Sequence, residues 1–401
     1  MSKRYGSKRS GLLPGFENLE EEASMSRPSP DSVERIKVVG CGGGGGNAIN
    51  RMVEAGLRGV EFIAINTDAQ DLADSKADTR LQIGDVVTKG MGAGGDPKQG
   101  RLAAEEDRND IMMAVEGADM VFITAGMGGG TGTGSAPLVA ECARQAGALT
   151  VAVVTKPFAF EGRRRMEVAR EGLRDLKQHV DTLITVPNEN LMNVVDRRAP
   201  LIEAFRLVDD VLRQGVQGIA DLITTPGLIN LDFNDVRAVM KDAGSALMGI
   251  GVGSGEGRAA QAAIAATSSP LLEGDIRGAR SILFNITAGL DLAVTEAEEA
   301  AQRIAGEAGV DDTNVIFGVI LDERMAGELR LTVVATGFET VDDEGAIIQP
   351  ARRSIVTPNV RPARPAMSPP PAARAPEAAP TPPSHGPTED DLNIPRFLRD
   401  R

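Results

Sequence analysis

The chain has 401 residues, 42% of them hydrophobic, and a formal charge of −14. Its length suffices for two or three domains that each bury a core, and its acidic balance argues against a nucleic-acid partner, because phosphate backbones are held by clustered Lys and Arg. Residues 1–32 lack the apolar stretch of a secretory signal, and no run approaches the ~20 apolar residues of a membrane span, so we expect a cytoplasmic protein without direct membrane insertion.

Cysteine and histidine are too rare for most thiolate or imidazole chemistry. Cys41 and Cys142 cannot form a disulfide framework or a zinc site without further ligands. Two histidines, His179 and His385, exclude multi-histidine hydrolases and His-ligated metals. We therefore expect no side-chain metal site, and a chemistry based on carboxylates, backbone amides and a bound ion.

Short β-branched runs alternate with helical patterns from Glu34 to Pro187. This alternation predicts βαβ units and an α/β fold whose parallel sheet is covered on both faces. Ligands of such sheets bind at the carboxyl ends of the strands. The predicted strands are 36–39, 61–66, 120–124, 150–155 and 183–186.

A long helix and a second region follow. Apolar residues recur at three- and four-residue steps from Pro200 to about Thr225 and predict one helix, which Pro226 and Gly227 end. The rest predicts a smaller α+β domain, with helices at 236–248, 258–266 and 296–308 and strands at 281–287, 315–321 and 329–335.

The two ends of the chain differ from the rest in composition. Residues 1–32 are polar and predict a disordered N-terminal extension. About half of the 23 prolines lie between Pro350 and Pro387, which predicts a disordered linker over 341–388. Residues 389–401 again contain apolar side chains, and such residues at the end of a long tether are typical of a partner-binding peptide.

The first glycine-rich loop leaves two ligand classes open. The run at 40–46 lets backbone N–H groups face a phosphate, and the following helix N-terminus adds partial positive charge. Gly40, Gly42 and Gly45 also satisfy the dinucleotide fingerprint, with Asp68 near the place of a ribose-binding acid. From this loop alone, a Rossmann-type nicotinamide-dependent oxidoreductase is as well supported as any other nucleotide-binding protein.

A second loop favours a polyphosphate ligand. After strand 120–124, glycines alternate with hydroxyl donors up to Ser135, as several phosphate charges would require. A dinucleotide fold needs only one such loop. A third glycine-rich stretch lies at 90–96, and no G-x-x-x-x-G-K-[ST] occurs in the chain, which excludes a P-loop NTPase.

Residues 128–134, with the sequence GGGTGTG, resemble the signature of the tubulin superfamily. From about residue 36 to 336, and again at its terminal peptide, the chain resembles the FtsZ family of bacterial cell-division GTPases. The resemblance implies a GTP-binding domain over 33–200, a central helix over 201–225 and a C-terminal GTPase-activating domain over 226–340. It also implies head-to-tail filaments that form the division ring on the inner face of the cell membrane, with GTP or GDP bound and Mg²⁺ held by the nucleotide phosphates.

The same resemblance implies the nucleotide contacts. The first glycine loop would hold phosphates, with its last residue, Asn47, near the base. Residues 66–68 would help to hold the ribose, the phosphates and magnesium, and 93–94 would sense the γ-phosphate. Residues between 157 and 165 would contact the ribose and phosphates, and three residues from 188 onward would surround guanine. In chain order the implied contacts are Gly43, Gly44, Gly45, Gly46, Asn47, Asp68, Ala93, Gly94, Gly129, Gly130, Thr131, Gly132, Thr133, Pro157, Glu161, Arg165, Asn188, Phe205 and Asp209.

Two residues near the start of the long helix suit guanine. Phe205 can stack on a base, and Asp209, one helical turn later, can accept the N1–H and N2 amino hydrogens of guanine. Adenine presents an acceptor at N1, so the same carboxylate would reject it. Without the resemblance, a residue such as Phe205 would more often belong to the core and one such as Asp209 to a solvated helix surface.

An acidic loop follows the long helix. Asp232 and Asp235 share one face of the first turn of the next helix, where they also suit capping and dipole compensation. The resemblance gives them, together with Asn230, a catalytic role, in which the loop enters the nucleotide pocket of the adjoining subunit and positions the attacking water.

Three positions depart from the family pattern. Asp96 stands where Asn is common, Asp210 beside Asp209 leaves open which carboxylate contacts the base, and Asn393 stands where the terminal peptide often has Asp. The resemblance implies that this peptide docks on membrane-tethering division proteins through Ile394, Pro395, Phe397 and Leu398.

Two alternatives stay open beside a polymerising GTPase. The glycine fingerprint at 40–45 alone favours the oxidoreductase. A scaffold that binds GTP without hydrolysing it is the other alternative, and Asp232 and Asp235 argue against it.

Overall fold

The computed structural model of the chain describes residues 34–192, 199–269, 273–309 and 313–338, together with two short paired strands, Thr340–Val341 and Ile347–Ile348. These two strands extend the described backbone into the range predicted as linker. The predicted N-terminal extension, the rest of the linker and the terminal peptide lie outside the described residues.

A parallel sheet forms the first half, as the alternating pattern predicts. Its strand order is β3-β2-β1-β4-β5-β6, and each neighbouring pair is parallel. Because the order reverses between β1 and β4, the loops that follow these two strands leave the sheet side by side. The strands are β1 Ile36–Cys41, β2 Val60–Asn66, β3 Thr79–Gln82, β4 Met120–Gly126, β5 Leu149–Lys156 and β6 Thr182–Pro187.

Helices cover both faces of this sheet. Val38, Phe122 and Val151 face the side covered by α1 and α9, whereas Val39 and Ile123 face the side covered by α6 and α7. Burial on both faces explains why the strands are almost continuously apolar. The helices up to this point are α1 Gly42–Glu54, α2 Ala69–Ala73, α3 Asp85–Thr88, α4 Pro97–Glu106, α5 Arg108–Val115, α6 Thr131–Gln145, α7 Arg163–His179, α8 Asn188–Leu191 and α9 Leu201–Thr224.

The long helix α9 has 24 residues and is therefore about 36 Å long. It begins after Pro200 and ends before Pro226, as predicted from the sequence. Its buried stripe, which includes Val208, Leu212 and Val216, packs against the sheet.

The second half continues the same sheet. β7 pairs in parallel with β6 through Gly244, Ser245 and Ala246, and then pairs antiparallel with β10. β8 lies between β10 and β9. It is antiparallel to β10 and parallel to β9. The elements are α10 Phe233–Met240, β7 Gly244–Ser254, α11 Arg258–Thr267, β8 Ser281–Ala288, α12 Val294–Ala308, β9 Asn314–Leu321 and β10 Glu328–Thr336.

One predicted element of this half is wrong. The helix predicted at 236–248 ends at Met240, and the residues from Gly244 onward belong to β7. Asp242 and Gly244 have φ values of 52° and 72°, a left-handed turn that stops the helix. Alternating glycines in β7 then admit close packing of α11, because a Cβ at Gly251 would lie 2.0 Å from the carbonyl oxygen of Ala262. Within the described ranges, no helix is long and apolar enough to cross a membrane.

Candidate nucleotide-binding site

The two glycine loops meet at the switch point of the sheet. α1 begins at Gly42, directly after β1, so 43–46 form its first turns rather than a loop. Gly42 has a φ of 68°, and a Cβ there would lie 2.7 Å from the backbone nitrogen of Gly132. Only glycine permits this approach, which brings the N-termini of α1 and α6 together. Two helix N-termini at one point favour an anionic ligand.

The backbone of both loops is open to a ligand at specific positions. Nothing lies within 4 Å of a Cβ placed on Gly46 or Gly129. Thr131 and Thr67 are joined through their hydroxyls at 2.6 Å, and the Thr133 hydroxyl accepts a hydrogen bond from the Gly128 N–H at 2.8 Å. Gly130, Gly132 and Thr133 therefore hold the shape of the loop, and the predicted phosphate contacts at Gly129 and Thr131 lie at its accessible side.

The third loop packs against the second. A Cβ at Gly130 would lie 2.8 Å from the Cβ of Ala93, and Gly94 borders the same cavity. Asp96 is turned away from that cavity to cap α4, where it accepts a hydrogen bond from the Lys98 N–H at 3.0 Å. Asp68 likewise caps α2 by accepting from the Gln70 N–H at 2.9 Å.

A cleft of about 350 Å³ lies between the glycine loops and the start of α9. It brings together side chains from β5, α7, α8 and α9 that are distant in sequence. Sequence reasoning missed Thr155, Ile202 and Val208 in its lining, although Ile202 precedes Phe205 at helical spacing. The predicted residues that line it are Gly44, Asn47, Pro157, Glu161, Arg165, Asn188, Phe205 and Asp209.

Two polar groups in this cleft have the features of a base-binding pair. Burial raises the pKa of Asp209 to about 6, against a smaller opposing effect of Arg51. Asn188 is 5% exposed, and its Oδ1 has no hydrogen-bond partner among the described residues. Asp210 instead pairs with Arg213 at 2.7 Å, so Asp209 is the carboxylate that faces the cleft.

An aromatic and ionic cluster forms the wall of the cleft. Phe205 packs edge-on against Phe158, with ring centroids 5.6 Å apart. Glu161 accepts a hydrogen bond from the Phe158 N–H at 2.8 Å and pairs with Arg165 at 2.9 Å. Phe205 remains 38% exposed, so one side of its ring is available to a ligand.

The acidic loop lies elsewhere in the chain. Asp232 caps α10 by accepting a hydrogen bond from the Asp235 N–H at 2.8 Å, and Asn230 accepts from the Gly227 N–H at 2.6 Å. Both carboxylates are exposed, and neither lines the cleft described above. The predicted contacts of the terminal peptide, Ile394, Pro395, Phe397 and Leu398, fall outside the described residues.

Comparison with known proteins matches each half of the chain to a known domain family. Residues 35–196 match the GTPase domain of the Tubulin/FtsZ family, and residues 244–339 match the C-terminal domain of the FtsZ family. An FtsZ dimer from M. jannaschii is 46% identical, with a TM-score of 0.74 over 81% of this chain and 93% of that one. The chain belongs to the tubulin/FtsZ family. It is therefore a GTPase of a family that binds GTP and GDP, with an FtsZ-like structure.

More distant members share the fold of this FtsZ-family chain. CetZ1 from Haloferax volcanii, solved as a GDP-bound monomer, is 20% identical, with a TM-score of 0.67 over 77% of this chain and 96% of that one. CetZ2 from the same organism, solved as a GTPγS-bound protofilament, is 23% identical, with a TM-score of 0.62 over 75% of this chain and 92% of that one.

Family membership overturns the oxidoreductase alternative and disfavours the non-hydrolysing scaffold. The glycines that match the dinucleotide fingerprint are needed here because other parts of the backbone pack closely against them. A Cβ at Gly40 would lie 2.5 Å from the Gly45 carbonyl oxygen, and one at Gly45 would lie 2.5 Å from that of Thr124. These two positions therefore need glycine for the contact between β1, α1 and β4, whatever the ligand.

Proposed function

We propose that this chain is a self-assembling GTPase in which one molecule binds GTP and the acidic loop of the next molecule completes the catalytic site. The observation that carries the proposal is the position of the loop relative to the cleft. Asp209 lies near the beginning of α9, whereas Asp232 follows its end. The 15 steps along the helix from Asp209 to Thr224 span about 22 Å, so the carboxylates of the acidic loop cannot reach the cleft of their own chain.

The cleft suits GTP on the evidence of its own side chains. Ionised Asp209 can accept the N1–H and N2 hydrogens of guanine, and the buried Oδ1 of Asn188 lacks a donor that a base would supply. Phe205 offers a stacking surface. We assign the ribose to Pro157, Glu161 and Arg165, and the phosphates to the loops at 43–47, 93–94 and 129–133, whose backbone is open at Gly46, Gly94 and Gly129. Mg²⁺ would be held by the phosphates near Asp68.

Phosphoryl transfer depends mainly on positioning and on neutralising charge spread over the phosphate oxygens. Within one molecule the helix N-termini supply part of this neutralisation, and Mg²⁺ would add to it when bound with the nucleotide. Asp232 and Asp235 of the neighbouring molecule orient the water, with Asn230 holding the loop. Neither the cleft without the neighbouring loop nor the loop without the cleft hydrolyses GTP efficiently, and hydrolysis therefore follows assembly.

Exposed apolar side chains support head-to-tail contact. Phe160 and Leu201 lie beside the cleft and are 58% and 60% exposed. At the other end, Ile229 of the acidic loop pairs with Val319 of β9, and exposed Leu290 and Val294 follow the adjacent strand β8. Contact between these two surfaces would remove apolar area from water. The dimer and protofilament found in the relatives are consistent with such assembly.

We further propose that the filaments form the division ring at the septum, on the cytoplasmic side of the cell membrane. The FtsZ-type C-terminal domain supports this role. The terminal peptide would then connect the filament to a membrane-tethering division protein through Ile394, Pro395, Phe397 and Leu398.

Complementation between two variants tests this mechanism. Asp235→Ala keeps the nucleotide cleft and lacks the acidic loop function, whereas Asp209→Ala keeps the loop and loses guanine binding. We expect each variant alone to release phosphate at least tenfold more slowly than the wild type, and an equimolar mixture to regain a substantial fraction of the rate, because mixed contacts pair an intact cleft with an intact loop.

The matched control is Asp110→Ala, which removes an exposed carboxylate from the first turn of α5 as Asp235→Ala does from α10. This control should assemble in GTP, sediment, and hydrolyse like the wild type. A wild-type rate per molecule that stays constant on dilution to monomers would contradict hydrolysis at the contact, as would a mixture no faster than its components.

A further inference from the structure

A second cavity adjoins the guanine cleft and contains an arginine without an assigned role. It lies between the second glycine loop, the loop at 93–96 and the start of α7, and has a volume of about 540 Å³. Glu161 and Arg165 line both this cavity and the guanine cleft. A nucleotide with its base at Asp209 and its ribose at Glu161 and Arg165 would therefore extend its phosphates into the second cavity.

The charges of this cavity do not balance without a ligand. Arg165 and Glu161 pair with each other at 2.9 Å, so their charges cancel. Arg164 also lines the cavity, and it forms no ion pair with any other residue that the structure describes. One uncompensated guanidinium thus remains beside the glycine loops.

The opposite walls are backbone. Nothing lies within 4 Å of a Cβ placed on Gly94, Gly95 or Gly129, so an oxyanion can approach these peptide groups closely. Arg164 is the cation that faces them from α7. A guanidinium presents a planar fork of donors that matches two phosphate oxygens.

We propose that Arg164 binds the terminal phosphate of GTP and lets the site distinguish GTP from GDP, an inference that rests on the proposed nucleotide site. GDP has no phosphate at this position and leaves Arg164 without that partner. Arg164 also lines a neighbouring cavity together with Asp96, Glu171 and Asp175. The guanidinium consequently has carboxylates on its other side once the terminal phosphate is lost.

The test compares the affinities of Arg164→Gln for GTPγS and GDP. The full-length protein is titrated calorimetrically at concentrations where the wild type does not sediment, with Mg²⁺ present. We expect the dissociation constant for GTPγS to rise about tenfold, as for the loss of one charge-assisted contact, while that for GDP changes less than about twofold. Arg164→Lys should lie between the wild type and Arg164→Gln, because the ammonium keeps the charge and loses the fork.

Arg163→Gln is the matched control, since Arg163 is the preceding exposed residue of α7 and lines neither cavity. It should leave both affinities unchanged. If Arg164→Gln weakens GTPγS and GDP equally, or changes neither, the assignment of Arg164 is wrong while the nucleotide site stands. A wild-type protein that binds neither nucleotide would instead refute the proposed function itself.

Discussion

Adjacent carboxylates in α9 have opposite environments. Asp210 pairs with Arg213, and hydrogen bonds from Arg213 and Gln214 hold its pKa below the ordinary value despite partial burial. Asp209 faces the cleft, where burial raises its pKa to about 6. One helical step of about 100° therefore separates a carboxylate held in an ion pair from one that faces the cleft.

This difference predicts a pH dependence of GTP binding. Guanine donates hydrogens, so Asp209 must be ionised to accept them, and protonation of the free site below a pKa of about 6 competes with binding. Between pH 7 and pH 5 the ionised fraction falls about tenfold for such a pKa. We expect the dissociation constant for GTP to rise by about the same factor, measured by calorimetric titration of the monomer.

Asp209→Asn separates this effect from titration of the phosphates. The amide does not ionise, so the variant should bind GTP weakly and retain only the pH dependence of the nucleotide. It should also gain affinity for xanthosine triphosphate, whose extra carbonyl accepts from the amide N–H. Asp210→Asn is the control. A pH profile shared by Asp209→Asn and the wild type would show that another group titrates.

The sequence predicted that Phe205 and Asp209 lie together because that signal is local, whereas their role at a base came only from the family resemblance. Phe205 and Asp209 are four residues apart, and helical spacing alone places them on one face. Asn188 and Pro157 became recognisable only through the family resemblance, since they enter the cleft from the ends of different strands. That the Asn188 Oδ1 has no hydrogen-bond partner among the described residues depends on tertiary packing, which no single-sequence pattern reports.

At the scale of elements, predictions succeeded where periodicity was strong and failed where glycines were dense. α9 has a continuous apolar stripe and matched its predicted bounds. β7 contains glycines at 249, 251 and 253, which weaken the alternation of side chains that indicates a strand. The beginning of α1 was placed too late for the same reason. A helix that begins with consecutive glycines runs against the low helix propensity of glycine.

An ion-pair network holds the second half together. Arg258 of α11 is 4% exposed and donates to Glu296 of α12 at 2.7 Å and to Asp291 at 2.8 Å. Asp291 also accepts from the Gly327 N–H at 3.1 Å, at the start of β10. Arg258 holds the pKa of Glu296 below its ordinary value. One guanidinium thus connects two helices and a strand.

Arg258→Gln should destabilise the protein by about 3 kcal/mol in urea unfolding. This is the low end for breaking a buried pair, because Asp291 stays half exposed. Since the folded pKa of Glu296 is lowered, its contribution is present at neutral pH and is lost as pH falls through that pKa. The exposed pair Arg324–Asp322 provides the control. If Arg258→Gln and Arg324→Gln unfolded at the same urea concentration, this account would be contradicted.

At the scale of the whole molecule, the cleft and the acidic loop lie at opposite ends of α9. The apolar residues at the acidic-loop end carry a separate prediction. Val294 is 86% exposed in the first turn of α12, where an added carboxylate is favourable to the helix. We expect Val294→Glu to abolish sedimentation in GTP and to lower the rate of phosphate release at least tenfold, while the affinity of the monomer for GDP stays unchanged.

The control for this variant is Met113→Glu on α5, which is 63% exposed and lies on neither proposed contact surface. It should assemble normally. Unimpaired sedimentation of Val294→Glu would remove this end of the molecule from the contact.

The separation of cleft and acidic loop by α9 also determines how catalytic sites are counted along a filament. Under the proposed mechanism, n molecules in a row contain n−1 complete sites, because the outermost cleft has no neighbour to finish it. The molecule at that tip keeps its triphosphate until another arrives. Each filament is therefore polar, with GTP retained at one terminus while the molecules of the interior convert theirs to GDP.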